Sequence, residues 1–202
     1  MEVGITKKTI DFRKTALVVI DLQKGILEMP TLPFSTTEII HNANQLVHCF
    51  RQKEAFIAFV RVQFLDGKDK LKPNAMKQLP GDDQAPDFSD FPDDFEVAST
   101  DYIVNKRGFS AFFGTDLDLQ LRRRGIENLV LCGISTHAAV DSTARDAYQY
   151  AYNQFFITDA MGAATRDMHE FPIKNLFPTM GQVLTTTEFL SLIDQLSNVN
   201  TK

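Results

Sequence analysis

Thiols are scarce in this chain. Its 202 residues include two cysteines, Cys49 and Cys132, far apart in sequence. They give neither zinc-ligand spacing nor a disulfide framework, which points to a reducing compartment, the cytoplasm. Long apolar runs are missing too. None approaches the roughly 18 residues of a membrane-spanning helix. Met1 to Lys14 has no apolar stretch ahead of its charges, so it does not read as a secretory signal. A basic excess is also absent. The 21 Lys and Arg against 26 Asp and Glu leave a net charge of −5 and a pI near 5.3. That balance argues against a nucleic-acid partner and against an anionic membrane surface. No internal repeat or low-complexity segment appears. The composition, 44% hydrophobic and 23% charged, excludes disorder, collagen and coiled coil. The length suits one domain spanning residues 1–202.

Short apolar runs alternate with longer amphipathic segments. Ala16 to Ile20 is a continuous apolar run ending at Asp21, which predicts a strand buried on both faces. Ser35-Thr36-Thr37-Glu38 is a capping-box signal. Behind it Ile39, Ile40, Ala43, Leu46, Val47 and Phe50 form one helical stripe. Further strands are predicted at Ala55–Val62, Tyr102–Val104, Leu129–Cys132, Phe155–Ile157 and Gln182–Leu184. Between them, a helix capped by Thr115 with Asp118 stops at Gly125, and a small-residue helix runs from about Ala138 to Tyr150. Thr187 caps a last helix. This alternation implies an α/β fold, a mostly parallel sheet with helices on both faces.

One stretch breaks the pattern. Asp66 to Thr100 has four prolines and little periodicity. From Gln78 to Asn105 no Lys or Arg occurs, against eight acids: Asp82, Asp83, Asp87, Asp90, Asp93, Asp94, Glu96 and Asp101. A long unpatterned insertion at about 66–100 reads either as a solvated crossover or as a lid over the C-terminal edge of the sheet.

Ligands of open parallel sheets bind outside the carboxyl ends of the strands. The first strand delivers Asp21 there, followed by Gln23, and the third delivers Lys106. The fourth delivers Gly133-Ile134-Ser135-Thr136-His137-Ala138-Ala139 into a helix N-terminus. A carboxylate, an ammonium and helix-end N–H groups together make an anion-stabilising site. On chemistry alone, Asp21 and Lys106 read equally well as a structural ion pair. His137 reads equally as a cap or a ligand contact. His169, in a polar turn before Phe171-Pro172, reads as exposed. Arg122-Arg123-Arg124 closes a helix and complements its dipole. Cys132 and Cys49 read as structural.

Three segments carry a resemblance: Val18-Val19-Ile20-Asp21-Leu22-Gln23, Val104-Asn105-Lys106 with Ser110-Ala111-Phe112, and Leu129 to Thr136. Ser142 to Ala147 and Asp159-Ala160 extend it. The chain resembles the isochorismatase-like, or cysteine hydrolase, superfamily from about Thr15 to Leu196. The resemblance implies a three-layer α/β/α sandwich around a six-stranded, mainly parallel, Rossmann-like sheet, catalysis by Asp21 and Lys106, backbone N–H groups of Ser135 and Ala139 for an oxyanion, and a non-proline cis peptide between Ile134 and Ser135. It implies substrate contacts from Gln23, Arg107, Phe112, Thr136 and His137, and a homodimer or homotetramer. No cofactor is implied.

The departure concerns residue 139. Amidase members place a nucleophilic cysteine three residues after the threonine of Gly-x-x-Thr; here that position is Ala139. Alanine excludes a thioester route from that position. The isochorismatase branch has glycine there and cleaves an enol ether by acid chemistry, with the aspartate protonating a substrate carbon. His137 matches that branch. Its arginine, two positions after the lysine, is matched here by Gly108, with Arg107 one residue away. The nicotinamidase branch needs a metal-binding Asp-x-His, and Phe64–Gln78 has no histidine, so no metal is expected. The readings left open are a small-molecule hydrolase using an Asp-Lys site without a thiol, with acid-catalysed vinyl-ether hydrolysis among its possible reactions, a cysteine amidase made inert by replacement of its nucleophile, and a non-catalytic small-molecule-binding member.

Overall fold

The computed structural model describes residues 10–76 and 85–199. Six strands form one sheet: β1 (Thr15–Ile20), β2 (Phe56–Val62), β3 (Tyr102–Lys106), β4 (Asn128–Ile134), β5 (Asn153–Gly162) and β6 (Gln182–Leu184). Their spatial order is β3-β2-β1-β4-β5-β6, and every pairing is parallel. The helices are α1 (Lys24–Leu27), α2 (Thr36–Gln52), α3 (Leu117–Arg123), α4 (Asp141–Gln149), α5 (Arg166–Phe171) and α6 (Thr186–Val199).

Strand alternation splits the core into two layers. Ala16, Val18 and Ile20 of β1, with Leu129 and Leu131 of β4, pack with Leu117 and Leu121 of α3 and Ala144 and Ala147 of α4. Leu17, Val19, Val130 and Cys132 face the other way, against Ile39, Ala43, Leu46 and Phe50 of α2 and Phe189 of α6. Every residue of β1 is buried, as its unbroken apolar run requires.

The capping box at Ser35 and Glu38 forms as expected. Two other caps move. Asp116 takes the N-cap position of α3, with Thr115 Oγ1 accepting from the Leu117 N–H. Asp118 instead accepts from Arg122 and from the Tyr152 hydroxyl. Thr185, not Thr187, pairs with Glu188 at the head of α6. β5 runs ten residues rather than three, because the polar Thr158 and Asp159 within it are held by the neighbouring chain. Thr158 donates to Leu184 O, and Asp159 accepts from the N–H and hydroxyl of Thr186.

The β2–β3 crossover carries no helix among the described residues. Phe91 and Phe95 pack on Phe59 of β2. The acid-rich stretch takes its cations from outside itself. Arg51 of α2 reaches Asp101 at 2.7 Å and Glu96 at 3.5 Å. Asp82 and Asp83 lie outside the described residues.

Gly133 is where β4 passes closest to β1. Its φ is 123°, and an added Cβ would stand 1.9 Å from Ile20 O. Backbone cannot yield as a flexible side chain does. Gly133→Ala should therefore destabilise the fold by at least about 3 kcal/mol, seen as a lower urea midpoint.

Candidate active site

The strand order reverses beside β1: β2 and β3 extend to one side, β4 to β6 to the other. The carboxyl ends of β1 and β4 therefore flank the switch point, where open α/β sheets bind ligands. Asp21 follows β1 directly. Its φ of 56° lies in the left-handed region, uncommon for a residue other than glycine. Its N–H is held by Val60 O at 2.9 Å.

Lys106 ends β3, two strands away, and reaches across the end of β2. Its Nζ donates to Asp21 Oδ2 at 2.7 Å and to Gly108 O at 2.9 Å. The two side chains are 1% and 5% exposed. Burial pushes the Asp21 carboxyl up to about 6, against the opposing charge and hydrogen bond of Lys106. Asp21 Oδ1 is buried with no hydrogen-bond partner among the described residues. One oxygen is thus anchored, and the other remains available to a ligand proton.

β4 ends in a cis Ile134–Ser135 bond, as the resemblance implied. Ser135 heads a π turn (Thr136–Val140) that runs straight into α4. Ser135 O accepts from the N–H groups of Ala138 and Val140. Ala139 is buried. Its carbonyl accepts from Thr143 Oγ1 at 2.7 Å, which in turn accepts from the Ala111 N–H at 3.0 Å. Ser110 Oγ donates to Asp146 Oδ2 at 2.5 Å. The segment behind Lys106 is thereby stitched onto α4.

The expected substrate-contacting residues fare differently. Gln23 is fully buried, and its amide is taken up by backbone: Nε2 donates to Val62 O and Phe88 O, while Oε1 accepts from Val62 N–H. It clamps the end of β2 to the crossover. Arg107 pairs with Asp69 at 3.1 Å and donates to Asn105 O. Phe112 is a core side chain stacked on Tyr152 and leaning on Tyr150, at the far end of α4. Thr136 is buried at the helix start, with Oγ1 bonded to Gly162 O and His169 Nδ1. His137 is exposed.

His169 is 3% exposed, which corrects the expectation of a surface position. It lies in α5, where Thr165 Oγ1 accepts from Met168 N–H. That threonine cap, followed by Asp167 in the first turn, was the available signal for the helix. Cys132 is fully buried, and burial pushes its thiol up, so it is an inert core residue. Among the described residues no three His, Cys, Asp or Glu side chains are grouped to hold a metal.

Asp21 carries a pH-dependent contribution to stability. Its folded value near 6 exceeds the unfolded value of about 3.9. Its contribution is therefore fully present below the unfolded value and is lost as pH rises through the folded one. Lys106→Met removes the charge and hydrogen bond that hold Asp21 down, so the Asp21 value should climb further. The destabilisation caused by this substitution should grow from about pH 5 to about pH 8. Urea denaturation at both pH values and carboxyl NMR titration check this.

The match to the isochorismatase domain spans residues 15–188. The isochorismatase family protein YwoC of Bacillus subtilis is 48% identical over 186 residues, covering 91% of this chain and 96% of that protein. The ureidoacrylate amidohydrolase RutB of Acinetobacter baylyi is 31% identical over 208 residues, covering 88% and 83%. An isochorismatase family protein from Burkholderia thailandensis superposes with a TM-score of 0.88 at 36% identity, covering 92% of this chain and 98% of that one. With the six-stranded parallel sheet and helices on both faces, these matches place the chain in the isochorismatase family of hydrolases.

Proposed function

We propose that the chain hydrolyses a small-molecule enol ether, with Asp21 as the proton donor and no covalent intermediate at residue 139. The observation that carries this reading is the Asp21 carboxyl. It is buried and raised to about 6, with Oδ2 held by Lys106 and Oδ1 without a partner among the described residues. A carboxylic acid near neutrality is suited to protonating carbon.

In the proposed reaction, Oδ1 gives its proton to the terminal carbon of the vinyl group, whose π electrons form the new C–H bond. The resulting oxocarbenium ion sits against a carboxylate anchored by Lys106. Water adds to the cation and returns a proton to Asp21. The hemiketal then collapses to a ketone and an alcohol, so the net change is addition of one water. Ser135 and Ala139 supply helix-end N–H groups for negative charge on the substrate. Thr136 supports that end from behind.

Several further features belong to the same reading. The whole chain acts as one domain, and the described residues 66–76 and 85–100 of the insertion border the site as a lid. The contacts of Lys24 and Gly25 N–H groups with Asp90 O and Phe88 O support this, as does the Arg107–Asp69 pair. Exposed Phe113 and Phe171 favour a homodimer or homotetramer. The scarcity and wide spacing of the two cysteines, with Cys132 a buried thiol, favour the cytoplasm. No helix among the described residues is long and apolar enough to cross a membrane.

The likeness to RutB favours a second reading, an amidase site that has lost its nucleophile. A turnover panel of isochorismate, ureidoacrylate and N-carbamoyl compounds separates the two. The enol-ether reading expects the unaltered chain to turn over the vinyl ether alone. Asp21→Asn should lower kcat/KM at least about 100-fold. Because the acid form is required, kcat/KM should fall as pH rises through about 6. Amide hydrolysis that appears only with Ala139→Cys would establish the second reading instead.

A further inference from the structure

His169 is not part of the machinery that the proposed chemistry uses. Its Nδ1 lies 2.9 Å from Thr136 Oγ1, which also lies 3.1 Å from Gly162 O. Counting protons fixes the direction of both bonds. A carbonyl only accepts, so the single hydroxyl proton of Thr136 goes to Gly162. His169 Nδ1 therefore carries a proton and donates it to Oγ1. Burial pushes the imidazole down to about 4, so at neutral pH the ring is uncharged and Nε2 bears no proton.

The surroundings hold this arrangement. The Phe34 ring stands edge-on to His169, with centroids 6.0 Å apart. Leu32 and Ala163 exchange backbone hydrogen bonds at 2.8 and 3.1 Å. The 31–34 loop, the end of β5 and α5 thus close around Thr136.

Threonine at a helix start ordinarily turns its oxygen onto the N–H groups of the first turn. Here that oxygen is engaged by Gly162 and His169. Ser135, at the N-cap position, makes no side-chain cap hydrogen bond. We propose that His169 is a positioning residue: by donating to Thr136 it holds the Ser135–Ala139 turn in register and keeps the threonine oxygen off the N–H groups that would meet substrate. The proposal rests on the reading of this helix end as the anion-stabilising part of the site.

A thiol introduced by Ala139→Cys reports the electrostatics of the turn. Its alkylation by iodoacetamide is followed against pH, with peptide mass mapping to count Cys49 and Cys132 separately. The reporter thiol should ionise below the usual value of about 8.5. Adding His169→Phe should raise its pKa by about one unit, slowing alkylation roughly tenfold at neutral pH. His169→Asn, whose amide N–H can replace the Nδ1 donor, should restore most of the rate. An unchanged profile in His169→Phe with a lower melting temperature would overturn the proposal and leave His169 a packing residue.

Lys106→Met in the same reporter separates the two levels of the argument. If it shifts the profile and His169→Phe does not, the site reading stands and the positioning role fails. If neither shifts it, the site reading itself fails. Should His169→Phe not fold, His169→Leu removes the same donor while leaving the threonine oxygen in place and should give the same shift. Nitrogen NMR of the unaltered chain should place the proton on Nδ1; a proton on Nε2 would overturn the proposal.

Discussion

A carboxylate and an ammonium are buried against each other at the C-terminal edge of the sheet, and much of the nearby backbone is arranged around keeping them there. Removing two charges from water costs several kcal/mol per ion. The 2.7 Å contact between Lys106 and Asp21 and the additional bond to Gly108 O offset that cost. Because β3 lies two strands from β1, the lysine stem must pass over the end of β2. That end is fixed from several directions. Gln23 takes both backbone groups of Val62, Ser89 Oγ donates to Val62 O, and Arg61 ties Asn105 to Ser89 O. The buried pair and the clamp on β2 are two parts of one solution.

The helix end follows β4, on the other side of β1 from β2 and β3. It is held by the Thr143 hydroxyl between Ala139 O and Ala111 N–H, so the segment carrying Gly108 and the helix carrying Ala139 cannot shift independently. Within a family that includes amidohydrolases such as RutB, this chain keeps the acid and the ammonium and has a methyl at residue 139. Under the proposed reading, the absence of a thiol at residue 139 alters what a carboxyl near pH 6 is asked to do. Beside a thiol it would serve as a base. Alone, and with one oxygen unpartnered among the described residues, it is better matched to giving a proton than to taking one.

The inner strands were legible in the sequence because a parallel sheet buried on both faces demands continuous apolar runs, and the partly exposed β3 and β6 because each still holds a short apolar core, Ile103-Val104 and Val183-Leu184. Asp21 and Lys106 were legible because each stands at the end of such a run. The caps were less so. Thr185-Thr186-Thr187 offers three equivalent hydroxyls, and only the spacing to Glu188 distinguishes Thr185. The resemblance implied substrate contacts from Gln23 and Phe112; the partners that hold them in the structure, Phe88 O and the Tyr150 and Tyr152 rings, come from distant parts of the chain. His169 escaped because a six-residue helix is too short to show which face it buries. Pairings across the fold decide such roles, and they leave no local pattern.

The strand order has a consequence for synthesis on the ribosome. β1 is flanked by β2, made soon after it, and by β4, which pairs Ala16 with Leu129. Until residue 134 has left the exit tunnel, one edge of the most buried strand has no partner, and Asp21 has no helix end beside it. Contacts so distant in sequence form slowly, since the intervening chain must first surrender its freedom. A nascent chain shorter than this carries an unpaired edge of backbone N–H and C=O groups on a strand whose side chains are nearly all apolar, the kind of surface that chaperones cover. The same topology that places these strand ends at the centre of the sheet delays their assembly until β4 has emerged.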